Sequence, residues 1–261
     1  MKMMRGKFGL VLCALLASGA GLHAEEWGNL TGTFKFGGDV AAPTKLTPTK
    51  DVEFCGKHEL FDEKIVANPD NKGLANVVIY LNPARNQKVA IHPDFESTAK
   101  AEVELKNNFC RFEPRVVLVR TTQTLVIANP DAVAHNSKLD LIANNGRNPI
   151  IPPGQSVKET FKKEERLPAS VSCSIHPWMS GRVVVKDHPY MAVTDKEGNF
   201  TIPNLPAGKW EFQVWHESPG YVQDVSVDGK KTKWNRGRLE LEIKPGENKL
   251  GVVEIPAASF K

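Results

Sequence analysis

The sequence predicts an all-β protein built from two sandwiches, and three observations carry that prediction. Short runs rich in Val, Ile and Thr recur along the chain, each of strand length. Eighteen prolines and 20 glycines punctuate them. No long apolar pattern of period 3.6 demands a helix. Beyond the first 24 of its 261 residues, the chain is long enough for two compact domains with real cores.

Residues 1–24 have the features of a secretory signal. Lys2, Arg5 and Lys7 form a basic start, Phe8 to Ala17 an apolar stretch, and Leu22-His23-Ala24 a small-residue cleavage site. Cys13 follows Leu12 rather than a small residue, so cleavage is expected and lipidation is not. The apolar stretch falls short of the roughly 20 residues that span a bilayer. No later segment is long and apolar enough either, so the mature chain is expected to lack an integral membrane segment. Periplasmic or secreted location follows as an expectation.

The signal carries three of the +4 formal charges and no acid, leaving about +1 on the rest. That balance lacks the clustered basic surface of a nucleic-acid partner. Exported cysteines tend to pair. Without Cys13 the chain holds Cys55, Cys110 and Cys173, an odd number. A Cys55–Cys110 disulfide with Cys173 kept as a metal thiolate resolves the count. A buried inert Cys173, or another pairing, is the alternative.

Residues 25–100 form an N-terminal β segment. Gly28–Phe36 reads as a strand ending at Gly37-Gly38, residues 39–74 as a long polar loop, and Ala75–Leu81 as a strand stopped by Asn82-Pro83. Residues 101–187 carry denser candidates at Ala101–Lys106, Val116–Thr121, Thr124–Ala128, Ser156–Phe161, Ala169–Ser174 and Arg182–Lys186. Turns fall at Asn129-Pro130-Asp131, Asn144-Asn145-Gly146 and Pro152-Pro153-Gly154. Six short strands in this span describe a small Greek-key sandwich. Residues 188–261 add candidates at Tyr190–Thr194, Asn199–Ile202, Lys209–His216, Tyr221–Val227, Leu239–Ile243 and Lys249–Ile255.

The chemistry concentrates in Cys173-Ser-Ile-His176-Pro-Trp-Met179, which places a thiol, an imidazole and a thioether on one short loop. A trigonal His2Cys set with a weak axial Met is the ligand set of a blue-copper centre. His135, 38 residues before Cys173, follows a strand and turn that would bring it beside that loop. Soft sulfur ligands favour Cu(I) and imidazole suits either oxidation state, so one copper ion and one-electron transfer are the expected cofactor and chemistry. Zinc accepts Cys and His but seldom Met. Asn136 is placed to hydrogen-bond across to the Cys173 loop and restrain the sulfur. Trp178 reads either as loop packing or as part of a partner-docking patch beside an exposed His176 edge. His58 reads as solvated. No His-x-His pair occurs, so the trinuclear cluster of a multicopper oxidase has no ligands and catalysis by this chain alone is not expected.

The run Cys173 to Val185 resembles the copper loop and last strand of amicyanin-like members of the plastocyanin/azurin-like cupredoxin family. Phe112-Glu113-Pro114, Ala128-Asn-Pro-Asp131, His135-Asn136 and Ile151-Pro-Pro-Gly-Gln-Ser156 resemble further signatures of that family in the right order. The resemblance covers about residues 101–187 and implies His135, Cys173, His176 and Met179 as copper ligands. The stretch Ala192 to Val214 resembles carboxypeptidase regulatory-like, or prealbumin-like, sandwiches, whose first strands would be Leu30–Phe34 and Leu74–Tyr80. That resemblance predicts a sandwich split around an inserted cupredoxin. Three sequential units are the alternative.

The function expected is an exported copper protein that carries single electrons between redox partner proteins. Copper capture or delivery, and a structural envelope or adhesion module, are the competing readings.

Overall fold

The computed structural model describes residues 26–260; the signal segment and Cys13 lie outside the described residues. The regular structure of the described chain is nearly all strand, arranged as two sandwiches that share one face.

The outer sandwich draws on both ends of the chain. In its first sheet Trp27–Gly37 lies between Asn199–Pro206, antiparallel, and Gly246–Pro256, parallel, with Asp224–Val227 and Lys230–Lys233 beyond. In its second sheet Val78–Leu81 lies between Met191–Val193 and Gly208–His216, both antiparallel, and Arg238–Ile243 extends the far side. Residues before 101 thus supply an interior strand of each sheet. Their partners come from after 187, and the middle of the chain is an excursion between them. Such insertion requires the guest's two ends to lie close together. The turn Asp195–Gly198, which carries the chain from Met191–Val193 in one sheet to Asn199–Pro206 in the other, needs its glycine: Gly198 has φ +81°, and a Cβ there would stand 2.0 Å from the Phe34 carbonyl oxygen.

The middle of the chain forms a second sandwich. One sheet runs Ser156–Thr160, Thr124–Ala128, Glu102–Asn108, Arg111–Glu113; the other runs Val116–Arg120, Ser180–Lys186, Ala169–Ser172, Lys138–Asp140. Leu105, Phe112, Val119, Leu125, Ile127, Val171, Val183 and Val185 fill the space between them. Their alternation along the strands follows from the period-2 side-chain direction.

The two sandwiches stack through Val78, Tyr80, Val116, Val184 and Trp215. The apolar run at Val78–Leu81 therefore has no polar face. Ile79 and Leu81 enter the outer core, while Val78 and Tyr80 enter the shared one. Arg115 and Arg182 both pair with Glu217 across the seam, at 2.9 and 3.5 Å, and Lys186 lies 4.1 Å over the Tyr80 ring.

Several strand expectations shift. Ala75–Leu81 starts at Val78 because Asn76 adopts φ 64° and breaks the ladder. The single run Tyr221–Val227 is two strands, Gly220–Tyr221 and Asp224–Val227, in different sheets. Arg111–Glu113, Lys138–Asp140 and Lys230–Lys233 are too short and polar to show alternation in the sequence. Residues 39–74 are more than a polar loop. They contain the helical turn Val52–Cys55 and place Cys55 and Leu60 in the core of the inserted sandwich, with Leu46 and Phe54 packed against it.

Candidate metal centre

The loop 173–179 is narrow because both of its ends are strands. Ser172 pairs with Ser180, the Cys173 amide donates to the Met179 carbonyl at 3.3 Å, and the Met179 amide donates to the His176 carbonyl at 2.9 Å. Folding the loop onto itself turns Cys173, His176 and Met179 inward, and all three are buried. Met179 shares the core cluster of Cys173.

His135 arrives from a separate hairpin, where His135-Asn136 pairs with Ile150-Ile151. The preceding turn is set by Asn129, whose Nδ2 donates to the carbonyls of Val133 (2.9 Å) and Ile151 (2.8 Å). The ligating atoms of His135, Cys173 and His176 lie within 4.8 Å of one another, and all three residues are buried. Cys173 Sγ is 3.6 Å from His176 Nδ1. His135 Nδ1 is buried with no hydrogen-bond partner. A lone buried acceptor beside a thiol and a second imidazole fits a soft metal ion, which needs unprotonated donors.

Hydrogen bonds hold these donors from behind. Asn136 Oδ1 accepts from the amides of Ser174 (2.8 Å) and Ile175 (3.3 Å) and from the Cys173 thiol (3.4 Å). Its Nδ2 donates to Asn148 Oδ1 at 2.6 Å. One side chain thus ties the His135 hairpin to the Cys173 loop. Asp131 Oδ2 meets His135 Nε2 at 2.9 Å, while its carboxylate also accepts from the Phe109 and Cys110 amides at 2.7 and 2.8 Å. Burial pushes the Asp131 carboxyl up, but His135 and those two amides outweigh it and hold it below its ordinary range. Burial opposes charging of His135, yet the Asp131 carboxylate and the Cys173 sulfur raise it. Burial likewise pushes the Cys173 thiol up, and His135, His176 and nearby amides pull it down to about 6.

Cys55 and Cys110 form a disulfide, and Cys173 is a free thiol. Trp178 is half-buried. Its Nε1 donates to the Cys110 carbonyl at 3.0 Å and its ring stands edge-on to His176 at 5.1 Å. His176 departs from expectation: it is fully buried rather than open at its edge, because Asp51 Oδ2 meets its Nε2 at 2.8 Å. His58 is not freely solvated; its ring lies between Phe54 and Phe109 at 5.1 and 4.8 Å. Asp131 and Asp51 are the site residues that sequence reasoning missed. Asp131 had a local signal, four residues before His135 in a turn. Asp51, 125 residues from its partner, had none.

Two other donor clusters occur among the described residues. One includes Cys110, which the disulfide occupies. The other joins Glu164, Asp187 and His188, whose two ring nitrogens already meet the Leu81 carbonyl and the Tyr190 amide.

No protein-family model matches the chain, and no curated protein matches it significantly. Solved structures do. The chain is similar to a Cu(I) methionine variant of amicyanin at 20% identity, over 33% of this chain and 82% of that one, with a TM-score of 0.30. It is similar to a purple cupredoxin from Nitrosopumilus maritimus at 22% identity, over 32% and 98%, with a TM-score of 0.27. A copper-containing nitrite reductase from Thermus scotoductus aligns at 24% identity over 40% and 26%, TM-score 0.30. With TM-scores this low, the site's own geometry carries the functional reading.

Proposed function

We propose that the inserted sandwich is cupredoxin-like and holds one type 1 copper ion through His135, Cys173, His176 and Met179, and that the protein carries single electrons between partner proteins outside the cytoplasm. The observation that carries this reading is the convergence of three buried donors within 4.8 Å, one of them an imidazole nitrogen with no other partner. Copper bound there supplies a Cu(I)/Cu(II) couple.

The chain's own residues do the rest. Cys173 is drawn toward the thiolate by its two imidazole neighbours, while the same pairing raises His135, so the proton that a metal displaces near neutral pH comes from the imidazole rather than the sulfur. Asn136 and Asp131 fix the sulfur and the His135 ring from behind, which limits rearrangement between oxidation states. Burial of every donor keeps water from the metal position. Binding and redox cycling need no catalytic group, and we assign no enzymatic activity to this chain.

Copper capture without a redox partner is the second reading, and one observation favours it: Asp51, not open solvent, meets the outer nitrogen of His176. Reversible voltammetry with fast self-exchange supports electron transfer, whereas ready loss of copper to a chelator supports capture. The deciding test adds Cu(II) to the reduced protein and to Cys173→Ser and records visible spectra. An intense copper–thiolate band in the wild type that is lost in the variant is expected. A folded, reduced wild type with no such band overturns the copper reading.

A further inference from the structure

The segment carrying Asp51 begins in the outer sandwich. Trp27–Gly37 is a strand of an outer sheet, and the chain leaving it crosses to the inserted sandwich as a two-stranded arm. The Leu46 amide donates to the Leu60 carbonyl and the Asp62 amide to the Thr44 carbonyl, each at 2.8 Å. At the far end of this arm Asp51 adopts φ 47°, ψ 42°, the left-handed conformation that Asp tolerates better than most residues. Its carbonyl accepts from the Phe54 and Cys55 amides at 2.9 and 2.8 Å. The backbone is thereby spoken for, and the carboxylate is left to meet His176.

The arm is fastened beside the metal donors. Cys55 is bonded to Cys110, whose amide is held by Asp131 and whose carbonyl accepts from Trp178. Asp131 in turn meets His135. The outer nitrogens of both imidazoles therefore end on carboxylates, and both carboxylates are anchored through the Cys55–Cys110 link. His135 draws its carboxylate from the turn just before it; His176 draws its carboxylate from the arm, 125 residues away in the chain.

We propose that Asp51 is a positioning residue of the metal centre, delivered by the arm that leaves the outer sandwich and packs on the inserted one. It holds the His176 ring with Nδ1 toward Cys173 and closes the ring's outer edge. The inference rests on the copper reading above. By accepting from Nε2–H, the carboxylate fixes the tautomer in which Nδ1 carries the lone pair, and it makes that nitrogen a stronger donor. Its negative charge stabilises the more highly charged oxidation state of a metal held there. Loss of the carboxylate is therefore expected to weaken Cu(II) binding more than Cu(I) binding and to raise the reduction potential.

The test uses the full chain with Asp51→Asn and Asp51→Gly. Both residues accept the left-handed backbone at this position, so neither change forces the arm to refold. In Asp51→Gly, Cu(II) affinity is expected to fall about 10- to 100-fold. Each tenfold loss of Cu(II) affinity relative to Cu(I) raises the potential by about 59 mV. Asp51→Asn, which keeps an acceptor but no charge, is expected to fall between. A potential and affinity equal to wild type in both variants overturns the proposal. The metal-free protein provides a reading independent of copper, the exchange rate of the His176 Nε2 proton by NMR. Slow exchange in wild type and fast exchange in Asp51→Gly supports the contact; equal rates overturn it. If wild type binds no copper, the copper reading fails, and the proton-exchange comparison alone decides whether Asp51 holds His176.

Discussion

At the scale of single residues, the centre depends on a few polar side chains that each serve more than one partner. Asn136 is the clearest case. Its carbonyl oxygen receives two loop amides and the thiol, so Asn136→Ala leaves buried donors unpaired. A loss of about 1–3 kcal/mol in unfolding free energy is expected, together with a roughly 10- to 100-fold weaker metal affinity. Equilibrium denaturation and copper titration check both. Wild-type values for stability, affinity and absorption would remove Asn136 from the site. The role of Asn136 was readable in the sequence because it adjoins His135, a residue whose type and spacing announce its chemistry. Asp131 was half-readable, as a turn residue whose second use appears only when Phe109 and Cys110 lie opposite it.

At the scale of elements, three pieces of chain meet at the centre: the 173–179 loop, the His135 hairpin and the 44–62 arm. The first two belong to one sandwich; alternation and turn residues mark the strands beside the loop and the strand and turn before His135, but not the pairing of His135-Asn136 with Ile150-Ile151. The arm is different. Between its strands lie charged residues and only a few apolar anchors, Leu46, Phe54, Cys55 and Leu60, with no period to follow. A single covalent link compensates for that thin packing. Replacing both Cys55 and Cys110 by Ser releases a cross-link spanning 55 residues, which on chain-entropy grounds destabilises by about 4 kcal/mol. The double variant should unfold at lower urea than the oxidised wild type and release copper faster. Equal midpoints would mean that the arm is held by packing alone.

At the scale of the whole molecule, the shared face makes the two sandwiches one packed body. Val78 and Tyr80 are buried between them while their neighbours Ile79 and Leu81 fill the outer core. Two histidines bear on stability here. His188 follows the inserted sandwich directly, and His216 ends an outer strand. Burial lowers each to about 4 from 6.5. The unfolded chain therefore binds protons that the folded one refuses between those values. The contribution of these two rings to stability is full above pH 6.5, declines as pH falls toward 4, and levels below that. Each group contributes on the order of 3 kcal/mol over this window. Urea midpoints at pH 7.5 and 4.5 check the direction, and His216→Gln should reduce the difference. A midpoint unchanged by acid would show that these rings titrate normally.

The sequence by itself determined the all-β class, most of the strands, and the donor set of the candidate centre. Those features are written in local patterns: alternation, turn residues, and the spacing of Cys173, His176 and Met179 on one loop. Only the tertiary structure decided that His176 is closed by a carboxylate from the distant 44–62 arm, and that the strand Val78–Leu81 is buried on both faces. Those features join residues more than a hundred positions apart through hydrogen bonds and packing. Such contacts leave no periodic trace along the chain, because any acidic residue on a polar loop looks the same until the fold brings a partner to it.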